Sequence, residues 1–172
     1  MKIAITGHSS GIGQSLTKIY SAQGHEVVGL SRRTGFNIRS IPKVADQIES
    51  CDVFINNAQA GFAQTELLIE VFKRWEGTNK KIIVISTRMT QNPTSSLPGY
   101  DMMLYRIEKL ALEEACKQLW NVASNPQIIL VKPGGVATQE TSPEYFTNPD
   151  QWADTLLHIL SSDLKINEIA LG

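Results

Sequence analysis

Ile3-Ala4-Ile5-Thr6-Gly7-His8-Ser9-Ser10-Gly11-Ile12-Gly13 is a short apolar run feeding a glycine-punctuated turn, and an amphipathic pattern follows it. Glycine permits a tight turn and lets backbone approach a ligand with no side chain between. A helix opening near Gly11 points free N–H groups and its positive dipole end into that turn, which suits phosphate. The strand–turn–helix context separates this pattern from an ordinary βα loop with incidental glycines. It makes Gly7, Ser9, Ser10, Gly11, Ile12 and Gly13 the expected dinucleotide-binding residues.

Working outward, apolar runs of strand length alternate with helical patterns along all 172 residues. Ile12, Leu16, Ile19 and Tyr20 share one helix face, and Gly24 ends that helix. Strands are expected at 26–30, 35–38, 52–56, 81–87, 127–132 and 165–171 after the first. Helices are expected at 41–48, 64–75, 102–121 and 149–159. Near-continuous apolar strands separated by helices imply a parallel sheet covered on both faces. The fold class is therefore α/β, a single doubly wound domain over 1–172 with a seven-stranded parallel sheet in the order 3-2-1-4-5-6-7. In such sheets ligands lie beyond the carboxyl ends of the strands, where every distinctive short motif of this chain falls.

Composition narrows the class. A hydrophobic content of 42% with 19% charged residues is ordinary for a globular protein, and a net charge of −1 gives no electrostatic case for a nucleic-acid or membrane partner. Cys51 and Cys116 lack metal-ligand spacing and read as free buried thiols, so no metal site is expected. The chain shows neither a signal peptide nor a run of about 18 apolar residues, and a cytoplasmic location is expected.

The second strand leaves through Ser31-Arg32-Arg33. A carboxylate at this corner would accept hydrogen bonds from ribose hydroxyls and repel a 2′-phosphate, whereas two guanidiniums welcome one. NADP(H) is favoured, with NAD(H) the alternative; a solvated basic turn is the bland reading. Asn37 is placed to meet an adenine amino group, or is simply a turn residue. Further on, Tyr105 and Lys109 stand four apart on one helical face that Leu112 and Cys116 continue toward the sheet. An ammonium beside a phenol favours phenolate, which turns tyrosine into a general acid/base at neutral pH.

The order of these motifs resembles the short-chain dehydrogenase/reductase family. The resemblance rests on Thr6 to Gly13, Asp52-Val53-Phe54-Ile55-Asn56-Asn57-Ala58, Ile85-Ser86-Thr87, Tyr105 to Leu112 and Pro133-Gly134-Gly135-Val136-Ala137-Thr138, and it spans nearly the whole chain of an unusually short member. It implies a Rossmann-type, NADP-dependent oxidoreductase passing hydride between nicotinamide and a carbonyl or alcohol substrate. Tyr105 would move the proton, and Lys109 would lower its pKa and hold the nicotinamide ribose. Thr87, with Ser86 in reserve, would steady the substrate oxygen. Asn57 and Ala58 would lie beside the adenosine ribose, and Pro133, Gly134, Val136 and Thr138 would fix the carboxamide. A homodimer or homotetramer is implied, with Leu67, Val71, Trp75, Leu119 and Trp120 as apolar contacts unless they pack within one chain.

Four departures stand out. Eighteen residues separate Thr87 from Tyr105 where the family has about thirteen, a count that would land on Tyr100, which has Leu104 rather than a lysine four residues on. Gln59 replaces the family's glycine after Asn-Asn-Ala, and the relay asparagine has no clear counterpart. The substrate-covering segment shrinks to 139–148. The second hypothesis these departures carry is an NADP(H)-binding sensor or scaffold that has lost useful catalysis.

Overall fold

Along the first strand Ile3 and Ile5 face one way and Ala4 the other, and this alternation runs through the sheet. In the computed structural model, which describes residues 1–91 and 102–172, the elements follow in βα order. They are β1 (Lys2–Thr6), α1 (Gly11–Ala22), β2 (Glu26–Leu30), α2 (Ile41–Ile48), β3 (Val53–Asn56), α3 (Ala63–Trp75), β4 (Lys81–Ile85), α4 (Met102–Val122), β5 (Gln127–Pro133), α5 (Pro149–Leu160) and β6 (Glu168–Leu171). Six strands pair in parallel in the order β2-β1-β3-β4-β5-β6.

Each face has its own core. Ala4, Phe54, Ile82, Val84, Ile128 and Leu130 pack under α2, α3 and α4, where Leu67, Val71, Trp75, Leu112 and Cys116 meet them. Ile3, Ile5, Ile55, Ile83, Ile129 and Val131 pack against Leu16 and Tyr20 of α1 and Trp152 and Leu156 of α5. Strands buried on both sides can carry isoleucine and valine at nearly every position, which is why they read as unbroken apolar runs. Leu67, Val71 and Trp75 are at most 1% exposed, so they belong to this core and not to a subunit interface; Leu119 and Trp120 pack against its edge.

Two expectations need correction. The strand expected at 35–38 does not form, so among the described residues the sheet has six strands, with β2 at one edge and β6 at the other. Arg32–Thr34 instead makes a 3-10 turn, and Gly35 follows at φ 82°. The Asn37 side chain then accepts from Arg39 N at 3.1 Å and its carbonyl from Ser40 N at 2.9 Å, which coils the backbone into α2. Phe36 and Ile38 fold onto the α2–α3 core as a cover, and Asn37 therefore sits in a turn. The other correction concerns length: β4 stops at Ile85, not Thr87, and β6 starts at Glu168, not Lys165. Both thiols are free and buried, and no helix among the described residues is long and apolar enough to cross a membrane.

Candidate active site

The first turn is built around close backbone approaches. Gly7 and Gly11 adopt φ of 70° and 52°, a region that costs a side-chain-bearing residue about 1–2 kcal/mol. Gly13 is helical, but a Cβ there would sit 2.3 Å from the Gly7 carbonyl oxygen and 2.8 Å from Asn57 Nδ2. Ser10 precedes α1 without a side-chain cap on its amides. Thr6 ties this turn to β3: its Oγ1 accepts from Asn57 N at 3.0 Å and Ala58 N at 3.1 Å, while Asn57 Nδ2 donates to the Thr6 carbonyl at 3.0 Å.

A cleft of about 720 Å³ opens above β1 and its neighbours, where the strand order reverses. Of the residues expected from the sequence, Gly7, Ser9, Ser10, Gly11, Ile12, Ser31, Arg32, Arg33, Asn37, Asn57, Ala58 and Thr138 line it, and Gly13 does not. Phe36, Arg39 and Gln59 also line it and were not anticipated. Among the described residues the lining holds three arginines and no carboxylate. Arg33 Nη1 reaches the Ser9 carbonyl at 3.3 Å and so spans from the β2 corner to the glycine turn.

Lys109 lies deeper, 3% exposed. Its Nζ donates to the Ile85 carbonyl and to Gln64 Oε1, both at 2.9 Å, and stands 5.8 Å from the centroid of the Tyr105 ring. The Tyr–Lys face of α4 is thus fastened to the last residue of β4, two before Thr87. Burial pulls the ammonium from 10.5 down to about 8, with Glu113 and Glu108 acting in the opposite direction. Thr87 is buried, and its Oγ1 accepts from Met89 N at 3.2 Å. The Ser86 hydroxyl donates instead to Glu113 Oε1 at 2.6 Å.

Neither a protein-family model nor a curated protein matches the sequence. Solved structures do match by shape. A short-chain dehydrogenase from Burkholderia cenocepacia in complex with NADP aligns with a TM-score of 0.80 at 16% identity, over 99% of this chain and 87% of its own. A short-chain dehydrogenase/reductase from Vibrio parahaemolyticus aligns at 0.73 and 19% identity over 98% of both chains. A 4-hydroxyisoleucine dehydrogenase complexed with NADH aligns at 0.75 and 17% identity, over 99% of this chain and 96% of its own. The chain has the short-chain dehydrogenase/reductase fold.

Within that fold the glycine turn, the arginine corner and the β3 exit converge on one cleft, together with Thr138, whose side chain packs over Gly11. Pro133 and Gly134 lie beside β6, where Gly134 N donates to the Leu171 carbonyl at 2.8 Å, and Val136 is buried under the following loop. Ser86, Thr87, Tyr105 and Lys109 are outside the cleft lining, with Glu108 between the two regions through its hydrogen bond from Gln59 Nε2. Tyr100 lies outside the described residues. Among the supports that sequence reasoning missed is Gln64, whose Nε2 donates to the Asn56 carbonyl at 2.8 Å and reaches the Ile85 carbonyl at 3.1 Å while its oxygen holds Lys109.

Proposed function

We propose that the protein is an NADP(H)-dependent oxidoreductase of the short-chain type, acting on a carbonyl or alcohol substrate with Tyr105 as general acid/base. The observation that carries this reading is the Lys109 ammonium, buried against the Tyr105 ring and fastened to the β4 end that presents Thr87. Mere nucleotide binding requires no such pair.

The residues present fit a dinucleotide phosphate. Glycines at positive φ and the first amides of α1 suit a pyrophosphate, and Arg32 and Arg33 suit a 2′-phosphate at a corner with no carboxylate among the described residues. Gly7, Ser9, Ser10, Gly11 and Ile12 would hold the first, Asn37 the adenine, Asn57 and Ala58 the adenosine ribose, and Pro133, Gly134, Val136 and Thr138 the carboxamide. When bound, the nicotinamide supplies or accepts the hydride. An ammonium has three donors and two of Lys109's are spent on protein carbonyls, which leaves one for a ribose hydroxyl. Its charge favours the phenolate of Tyr105, which takes a proton from an alcohol or, as phenol, gives one to a carbonyl oxygen. Thr87 is the better choice than Ser86 for steadying that oxygen, because the Ser86 proton is already committed to Glu113.

The test is Tyr105→Phe, which is expected to lower turnover by about a thousandfold or more while NADPH affinity stays within about twofold. Full activity in the variant overturns the assignment. Tight NADPH binding with no carbonyl reduced across a broad panel overturns catalysis altogether and favours a nucleotide sensor.

The same reading treats 1–172 as one nucleotide-binding domain with 139–148 as its substrate cover. The buried free thiols support a reducing, cytoplasmic setting. Copies of the chain are proposed to pair through α4, whose Met103, Ile107 and Leu110 recur at helical spacing and are 70%, 46% and 45% exposed. Light scattering is expected to give a dimer or tetramer, and Ile107→Lys with Leu110→Lys to give a monomer. A monomeric native protein removes this interface.

A further inference from the structure

Glu113 is a carboxylate for which the proton-transfer scheme has no use, and it is only 4% exposed. It follows Lys109 by four residues on α4, so it lies on the same helix face. Both of its oxygens are engaged. Oε1 accepts from Ser86 Oγ at 2.6 Å and lies 2.8 Å from Thr90 Oγ1, while Oε2 lies 3.0 Å from Lys132 Nζ. Lys132, itself 7% exposed, also meets Glu168 at 2.8 Å. One carboxylate therefore joins α4 to the exits of β4 and β5 and, through Lys132, to β6.

Stability does not account for this cluster, since buried ion pairs hold little advantage over apolar residues of similar volume. Its location is more telling. Ser86 and Thr90 bracket Thr87, and the Thr90 hydroxyl also lies 2.9 Å from the Thr87 carbonyl. Among the described residues, the ionisable groups around Lys109 are Tyr105, Glu108 and Glu113 on α4, with Lys132 on β5 and Glu168 on β6 reached through Glu113; α3 and β4 meet the ammonium through the Gln64 amide and the Ile85 carbonyl. Glu108 is engaged by Gln59.

Resting on the reading of Tyr105 and Lys109 as the proton-transfer pair, we propose that Glu113 is a positioning residue for it: its carboxylate braces the turn that presents Thr87 and sets negative charge one helical turn from Lys109. The brace acts through Ser86 and Thr90, on either side of the residue it positions. The charge acts on a lysine that has lost its water. Among the charges that keep Lys109 protonated against its burial, Glu113 ranks ahead of Glu108. Neither action touches substrate or nucleotide, so the cleft and its affinity are independent of it.

The experiment uses ligand-free protein, with lysine labelled at Cε and threonine at its methyl, observed by NMR across a pH titration. In Glu113→Gln the Lys109 midpoint is expected to fall by about half a unit or more, a roughly threefold change in its proton affinity. The Thr87 methyl is expected to shift, and NADPH affinity to stay within about twofold. Should that variant not fold, Glu113→Gln with Lys132→Met removes both buried charges, and the Thr87 methyl is then the deciding readout, because the lost cation offsets the lost anion at Lys109. An unmoved Lys109 midpoint in a folded Glu113→Gln, or an unmoved Thr87 methyl in either folded variant, overturns the proposal. Neither NMR readout needs turnover, so a fully active Tyr105→Phe would sink the catalytic reading and leave the titration legible.

Discussion

Lys109 gives up most of its hydration to sit beneath Tyr105, and the proton balance of folding records the cost. Its native pKa of about 8 lies below the ordinary 10.5, so between those values the unfolded chain binds more protons than the native one. Unfolding free energy therefore rises as pH climbs through that window, by up to about 3 kcal/mol. The penalty is fully present below pH 8 and relieved above 10.5. Urea midpoints at pH 7.5, 9 and 10 are expected to show native stability gaining on Lys109→Met as pH rises. A difference that stays flat refutes the buried ammonium. The comparison with a variant matters because Cys116, pushed up to about 12 by burial, works the other way. Its thiol ionises only in the unfolded chain above about pH 9, which lowers native stability there. Tyr105 and Lys109 were readable from a four-residue spacing, and Glu113 extends the same spacing by one more turn. Its neighbours Leu112 and Cys116 marked that face as apolar and concealed the charge. Gln64 left no trace, because an amide on a helix carries no periodic mark of the carbonyls it will reach.

At the scale of elements, the turn between β2 and α2 carries the residues proposed to choose the nucleotide. Ser31 N donates to Thr34 Oγ1 at 3.0 Å, closing a 3-10 turn that carries Arg32 and Arg33 side by side at the cleft. Charge-assisted bonds to a phosphate contribute about 1.5–3 kcal/mol each. Arg32→Ala with Arg33→Ala is therefore expected to weaken NADPH by at least about tenfold and to leave NADH within about twofold. Equal loss for both nucleotides would show that the arginines do not read the 2′-phosphate. The same turn shows where sequence reading of elements fails. Phe36 and Ile38 alternate with a polar residue, as a half-buried strand would. Two apolar residues folding over the end of a core produce the same pattern, and only the hydrogen bonds of Asn37 distinguish the two. The helices were easier because each spans several turns, and α2 fell on the expected bounds.

For the molecule as a whole, the parallel sheet, the helix placement and the cleft were legible because they rest on long-range periodicity and on glycines at strand ends. Less legible were the polar supports behind the site, which depend on contacts between residues distant in sequence, such as Gln59 with Glu108 and Glu113 with Lys132. The missing seventh strand has a consequence of its own. Glu26 N donates to Met1 and the Leu30 carbonyl accepts from Gly7, so these β2 groups face β1, and the amides of Val27 and Gly29 point outward by alternation. In deuterium exchange those two amides are expected to label faster than Val28 and than Ile5 of β1 by about two orders of magnitude. Matching protection along β2 would mean that another strand covers the rim. The residues proposed to choose the nucleotide thus leave the sheet from one of its edges. Those proposed to move the proton sit on α4, fastened through Lys109 to the end of the interior strand β4. On the proposed reading, local opening at the rim would admit or release the adenosine end while leaving α4 and the end of β4 in place.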